Sequence, residues 1–387
     1  MQRLVGEVQN YAWGCTRRLA ELRDEAESSE PEAEIWYGAH ERAPSAFEDG
    51  STLLEAIAAD PEGQLGDSLV ARFGPQLPFL VKLLAADSPL SIQAHPSAEQ
   101  ALAGFAAEDA AGIDAAAPNR CFRDKNPKPE LVYAINPFEA LVGFRPTEDT
   151  KRFLQDIGFD GFDATLDDGG PKATVEALLG SGAGDEPSTE VSGLIDALLE
   201  RCRSASADEW QQEVSLLLRL HDAYPNDPGI GVAALLNYLV LKPGEALFLE
   251  AGQLHAYVSG LAVEVMANSD NVLRGGLTPK HIDVPTLLDI ITSETYRPDL
   301  VAANSEGTLD TPSPEFAFTV HEDPAQVELI GPQVVVAIRG EVRLDGRLGA
   351  DEKTLVLGPT EAAWLPAGER AVLNGTGLGI STTSGIA

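Results

Sequence analysis

Cysteine is scarce in this chain: Cys15, Cys121 and Cys202 stand far apart among 387 residues. An odd, scattered set argues against a disulfide framework or a thiolate zinc site and fits a reducing cytoplasm, the expected location. Long apolar runs are missing too. No stretch of about 18 uncharged apolar residues occurs, so no membrane span is expected, and the opening MQRLVGEVQNYAWG lacks the apolar core of a signal peptide. Positive charge is the third shortage, with 27 Lys and Arg against 61 Asp and Glu and a formal net charge of −34. Such a field repels phosphate backbones and anionic lipid, so neither nucleic acid nor a membrane is an expected partner. The plain reading of the carboxylates is a solvated surface. Screening damps charges beyond roughly 8 Å at physiological salt, which leaves room for a small anionic substrate beside local cations.

What is present is the composition of a globular protein, 44% hydrophobic and long enough for two or three domains. Residues 241–252 (LKPGEALFLEAG) and 357–368 (LGPTEAAWLPAG) share Leu, Pro, Glu-Ala, Leu and Ala-Gly at the same offsets. Each reads as a hairpin: a short apolar strand, a turn and a return strand. Only the first copy continues into a histidine, His255, where the second has Ala371. The pattern suggests a metal-binding barrel paired with a metal-free relative. Convergence of two ordinary hairpins is the alternative.

Strand candidates lie at 77–94, 131–135, 239–248, 256–266, 316–320, 327–336 and 354–364. Short strands punctuated by Gly and Pro predict a barrel or jelly roll. From 147 to 223 the spacing turns helical, with helices expected at 190–203 and 207–220 and loops at 160–170 and 180–185. The expected fold is mainly β with a helical insert. Residues 1–146 and 232–296 would form the metal-binding barrel, 147–231 the insert, and 297–387 a metal-free barrel.

Three segments carry the candidate chemistry. In 90–95, strand alternation puts Leu90, Ile92 and Ala94 on one face and Ser91, Gln93 and His95 on the other. Buried-looking flanks favour a cavity wall over a plain surface strand. In 124–130, two prolines set an extended approach to Glu130 at a strand entrance. Arg120, Arg123, Lys125 and Lys128 make this the densest basic patch, with a solvated loop as the alternative. The third segment runs from His255 through Glu264 to a polar stretch around Arg274, Gly275 and Gly276. One Gln, two His and one Glu form a set that suits a divalent metal such as zinc.

The segments YAWG (11–14), EIWYGAH (34–40), PLSIQAHP (89–96), KPE (128–130), AGQLHAY (251–257) and VEVMANSDNVLRGGLTPKHID (263–283) occur in this order over nearly the whole chain. Together they resemble type I mannose-6-phosphate isomerases. The resemblance implies two cupin-type β-barrels with a helical domain, and one zinc ion serving to interconvert mannose 6-phosphate and fructose 6-phosphate. It implies Gln93, His95, Glu130 and His255 as metal ligands and Arg274 as a catalytic residue. Two departures fall outside the ligand set: Asn126-Pro127 precedes Lys128 where many relatives have Asn-His, and Glu250 replaces a usual proline.

The expected reaction moves a proton between C2 and C1 through an enediol(ate). Glu264 and Lys128 are both candidates for the base, and the sequence leaves the choice open. Ser91 and Lys280 are phosphate candidates; Tyr257 and Asp270 are candidates for sugar contacts. The chain is expected to act as a monomer on a small phosphorylated sugar. Two other readings stand: an iron-dependent cupin oxygenase and a sugar-binding cupin without catalysis. Of the remaining histidines, His40 and His221 read as structural, with Trp210; His281 and His321 read as surface residues or supports behind the ligands.

Overall fold

Two antiparallel sheets account for most of the chain. A computed structural model describes residues 1–180, 187–206, 208–348 and 351–386. The ten-stranded sheet is organised by the strand His255–Ala267, whose two halves pair with different neighbours. Residues 260–267 run beside Phe79–Ala86, and 262–266 also beside Glu130–Ala134. Residues 255–259 run beside Phe138–Phe144, and His255 meets the two-residue strand Gln93–Ala94. A register shift between Tyr257 and Ser259, followed by Gly260 at φ +132°, turns the strand from one layer into the other. Leu84, Val132, Ala134, Phe138, Ala140, Val142 and Tyr257 fill the space between the layers.

Alternation sorts the first layer into an apolar and a charged face. Ile35, Tyr37, Phe79, Val81, Leu131, Val263 and Val265 turn outward into a core shared with Phe316, Val334 and Trp364 of the second sheet. Glu34, Trp36, Lys82, Glu130 and Glu264, from the same strands, turn inward to a cavity.

The second sheet has eight strands and includes Gln2–Leu4, which pairs with Ala362–Leu365. The repeated phrase folds the same way twice. Lys242 N–H donates to the Glu245 carboxylate at 2.7 Å, and Gly358 N–H donates to that of Glu361 at 2.8 Å. The strands that follow keep one register. Glu130, Leu131, Val132 and Tyr133 face residues 249 down to 246; Gln333, Val334, Val335 and Val336 face 365 down to 362. This equivalence sets Gln333 where Glu130 stands and Ala371 where His255 stands. Ala371 is buried among Leu329, Val335, Leu344 and Leu373, and among the described residues the His95–Glu130–His255 group has no counterpart here.

The insert consists of helices Thr147–Asp156, Asp163–Leu179, Thr189–Ser204, Gln211–Ala223 and Gly229–Ala234. Their core residues Phe153, Leu198, Leu217 and Ile230 pack on Ile92, Ala94, Leu141, Ala256 and Val258, the outer face of the second layer. Trp210 packs on Phe153, the structural role expected for it.

Several sequence expectations need correction. The loop expected at 160–170 is largely helical: Asp163–Leu179 runs through it, with buried Leu166 as anchor. Gly170 at φ +70° breaks it, and Pro171 opens the second half, where its missing N–H costs nothing. Most of the loop expected at 180–185 lies outside the described residues. The expected strand 77–94 is Phe79–Ala86, then irregular chain, then Gln93–Ala94. Helices Leu53–Ala59, Pro61–Leu65, Asp67–Phe73 and Ala98–Ala110 were not anticipated. Among the described residues neither sheet closes into a ring, so the observed class is mainly β with helices. No described helix is long and apolar enough to cross a membrane.

Candidate active site

The side chains of His95, Glu130 and His255 meet beneath a cavity of about 600 Å³, a volume typical of small-molecule sites. All three are buried. Glu130 opens its strand directly after Pro129, and His255 opens the strand that crosses both layers. Gln93 faces His255 across the Gln93–Ala94 pairing, and Arg274 faces Gln93 from the other side. Directly opposed residues project on the same face, so register alone gathers Gln93, His255 and Arg274.

The hydrogen bonds of the two imidazoles test whether a metal fits. His95 Nδ1 lies 2.7 Å from the Asn271 carbonyl and His255 Nδ1 lies 2.9 Å from that of Gln253. A carbonyl only accepts, so each Nδ1 carries a proton, and a neutral ring then presents its Nε2 lone pair. Those Nε2 atoms sit 3.2 and 3.4 Å from the two Glu130 oxygens and have no hydrogen-bond partner. Protonation of His95 would relieve the clash, but burial and nearby Lys128 push its pKa down to about 4. The His95 lone pair therefore aims at an anion, and the His255 Nε2 points at the same carboxylate. Bonds of about 2.0–2.2 Å to a tetrahedral zinc ion separate neighbouring ligands by about 3.4 Å, which matches these gaps. The donor set fits a divalent cation.

Cations and carboxylates alternate around this cluster. Lys128 Nζ lies 3.1 Å from Glu130, and Tyr257 Oη 3.5 Å from the other Glu130 oxygen. Lys82 Nζ lies 2.9 Å from Glu264 and 3.5 Å from Glu34, all three buried. Burial raises the Glu264 pKa although Lys82 opposes it. For Lys82, burial acts to lower the pKa, and Glu264 and Glu34 outweigh it to leave a net rise. Glu130 is held below the usual carboxylate range because Lys128 and His95 overcome its burial.

A second group lies nearer the mouth. Asp270 sits 3.5 Å from His40 Nε2 and 3.4 Å from Arg42. His40 Nδ1 accepts from the Arg42 N–H at 3.2 Å, leaving Nε2 as the donor to Asp270. Burial acts to raise the Asp270 pKa, but His40 and Arg42 hold it down at about 2. Arg123, Arg274 and Lys280 also line the cavity, and among the described residues none of them pairs with a carboxylate. Burial and then Arg123 lower the Arg274 pKa; burial and then Arg274, Arg123 and Arg42 lower that of Lys280. Unpaired, mutually repelling cations on a strongly acidic protein make a seat for an anion.

The residues the sequence reading assigned to metal, substrate and catalysis converge here. Ser91, Gln93, Lys128, Glu130, Tyr257, Glu264, Asp270, Arg274 and Lys280 line the cavity, with His95 and His255 below its floor. Tyr257 reaches toward Glu130 from deep burial. The sequence reading missed Lys82 and Glu34. Their signal was a lone lysine inside the apolar run FLVKLLAA. His40 is buried as expected, but it also lines the cavity and holds Asp270. His281 is exposed; His321 is buried against Ser381 at 2.9 Å in the other sheet and does not support the ligands.

Comparison with known proteins gives this geometry a family. Residues 1–147 match the model of phosphomannose isomerase type I, catalytic domain. The chain is similar to the mannose-6-phosphate isomerase of Salmonella typhimurium, 40% identical over 389 residues and 98% of each chain. The chain belongs to the type I phosphomannose isomerases. The human mannose-6-phosphate isomerase is 34% identical over 354 residues, covering 83% of this chain and 81% of its own. A crystal structure of mannose 6-phosphate isomerase bound with zinc and yttrium superposes with a TM-score of 0.87 at 36% identity, over 99% of both chains. In this member of the family, the helical insert, both sheets and the His–Glu–His cluster thus fall within one shared fold.

Proposed function

We propose that the chain interconverts mannose 6-phosphate and fructose 6-phosphate, with one zinc ion held by Gln93, His95, Glu130 and His255. The observation that carries this reading is the adjacency of two buried imidazole Nε2 atoms aimed at a carboxylate and three cations that, among the described residues, have no carboxylate partner. Relatives named mannose-6-phosphate isomerase and a zinc-bound neighbour support it. We also read the two sheets as cupin-type barrels, the second having lost its ligands at Gln333 and Ala371.

Zinc at this place would supply a Lewis acid that polarises the sugar oxygens. The chain's own residues do the rest. Arg123 and Lys280 bind the phosphate, with Ser91 beside them. Arg274, opposite Gln93, pairs with negative charge that develops at the enediol(ate). Glu264 takes the C2 proton and returns it to C1; burial brings its pKa toward that of an efficient base. Lys82 holds Glu264 in place, and Lys128 donates toward the substrate oxygens. Asp270, fixed by His40, accepts from a sugar hydroxyl, and Tyr257 donates beside Glu130.

Two His and one carboxylate would also suit a non-haem iron oxygenase; the cation wall and the relatives favour the isomerase. The deciding experiment is a coupled assay for fructose 6-phosphate formed from mannose 6-phosphate, with metal analysis and oxygen uptake in parallel. Zinc-dependent turnover without oxygen uptake is expected. Oxygen consumption with no ketose formed would overturn the proposal.

A further inference from the structure

The segment bearing Arg274 and Lys280 is held in an unfavourable shape. Leu277, buried and not a glycine, has φ +54°, and Gly276 before it has φ +122°. Left-handed backbone at a branched side chain persists only where the surroundings enforce it.

Asp227, between the last two helices of the insert, supplies the enforcement. Its Oδ1 accepts the N–H of Gly229 at 2.7 Å and that of Leu277 at 2.9 Å; its Oδ2 accepts the N–H of Thr278 at 2.9 Å. The backbones touch at this point. A Cβ on Gly276 would lie 2.4 Å from the Gly229 Cα, so both glycines are required for the approach. Gly275 and Gly276 in turn pair with Ile92, next to Gln93.

We propose that Asp227 is a positioning residue for the reaction. By accepting the main-chain N–H groups of Leu277 and Thr278 it fixes the turn before Lys280 so that this cation faces the substrate phosphate, tying sugar-phosphate binding to the helical insert, while Arg274 is held separately by its pairing with Gln93. This rests on the assignment of that segment to the phosphate. Asp227 touches no substrate and acts through backbone alone, so its loss weakens binding more than chemistry.

The test uses the zinc-loaded full chain and inorganic phosphate as a competitive inhibitor. Asp227→Ala is expected to raise KM for mannose 6-phosphate and Ki for phosphate together by tenfold or more. Turnover should stay within about threefold of the parent, and zinc content unchanged. Asp227→Asn keeps the shape but loses one acceptor, and should fall between. Unchanged KM and Ki in both variants would overturn the proposal, as would a loss confined to kcat or zinc content. Lys280→Ala and Arg123→Ala separate the two levels. If they raise Ki and Asp227→Ala does not, the positioning role alone fails. If none of the three moves Ki, the phosphate assignment fails and the positioning role with it.

Discussion

The Nδ1 atom of His95 donates to the main-chain oxygen of Asn271 across 2.7 Å, although the two residues lie 176 positions apart. The Asn271 side chain, fully buried, accepts the N–H groups of Arg123 and Asp124 and donates to the Asp124 and Asn126 carbonyls. One residue therefore sets the orientation of the His95 ring and the course of the loop leading to Lys128 and Glu130.

Replacing Asn271 by Leu should lower zinc affinity by about 10- to 100-fold, the usual effect of losing a ligand's support. Stability should fall as well, by at least about 1–3 kcal/mol for the donors and acceptors left unpaired. Equilibrium dialysis against a graded chelator, with thermal unfolding, measures both. Unaltered zinc affinity would mean the Asn271 carbonyl keeps its place without the side chain.

Removal of the metal by chelation should abolish isomerisation, and added zinc should restore it. Metal content and activity are measured on the same samples. Full turnover by protein verified to hold no metal would rule out the Lewis-acid role.

Arg274→Ala should reduce turnover by well over tenfold while circular dichroism and thermal midpoint stay near the parent's. Arg274→Lys should recover only part, because an ammonium lacks the planar fork of the guanidinium. Parent-like kinetics in Arg274→Ala would remove this residue from the mechanism.

Lys82→Met leaves Glu34 and Glu264 buried without their shared counter-charge. Breaking such a buried pair costs about 3–5 kcal/mol. The double variant Lys82→Met/Glu264→Gln should regain much of that stability but none of the turnover. Urea titrations and steady-state kinetics separate the two effects. A double variant as active as the parent would discard Glu264 as base.

Burial pushes the His321 pKa down to about 4, against about 6.5 in an unfolded chain. In that window the unfolded state binds more protons, so stability is present above pH 6.5 and declines as pH falls toward 4. The full swing is at most about 3 kcal/mol. His321→Asn should flatten the slope of unfolding free energy between pH 7 and pH 4.5. An identical slope in the variant would assign the pH sensitivity to other groups.

Residues close in sequence were the legible ones. Alternation in 90–95 separated Ile92 and Ala94, which meet the helices, from Gln93, which faces the cavity. The twice-written hairpin was readable because its turn chemistry is local, down to the glutamate that accepts from the turn. Long-range pairings were not readable. Nothing near Gln2–Leu4 specifies its partner strand some 360 residues later, and nothing near Asp124 points to Asn271. Lys82 was passed over because its flanks declare a buried strand, and its partners Glu34 and Glu264 come from two other strands. The break at Gly170 misled in the opposite sense: flexible composition there joins two helical pieces.

The two faces of the inner layer bear on how the two sheets divide their work. Glu34, Lys82, Glu130 and Glu264 place ionised groups inside one half, which weakens a fold left to itself. Their neighbours Ile35, Tyr37, Phe79 and Val263 press against Phe316, Val334 and Trp364 of the other half, a greasy seam shared by both. The second sheet thus serves as ballast, and a chain cut short before it would bare that greasy seam and leave the half that carries the cavity unable to stand alone.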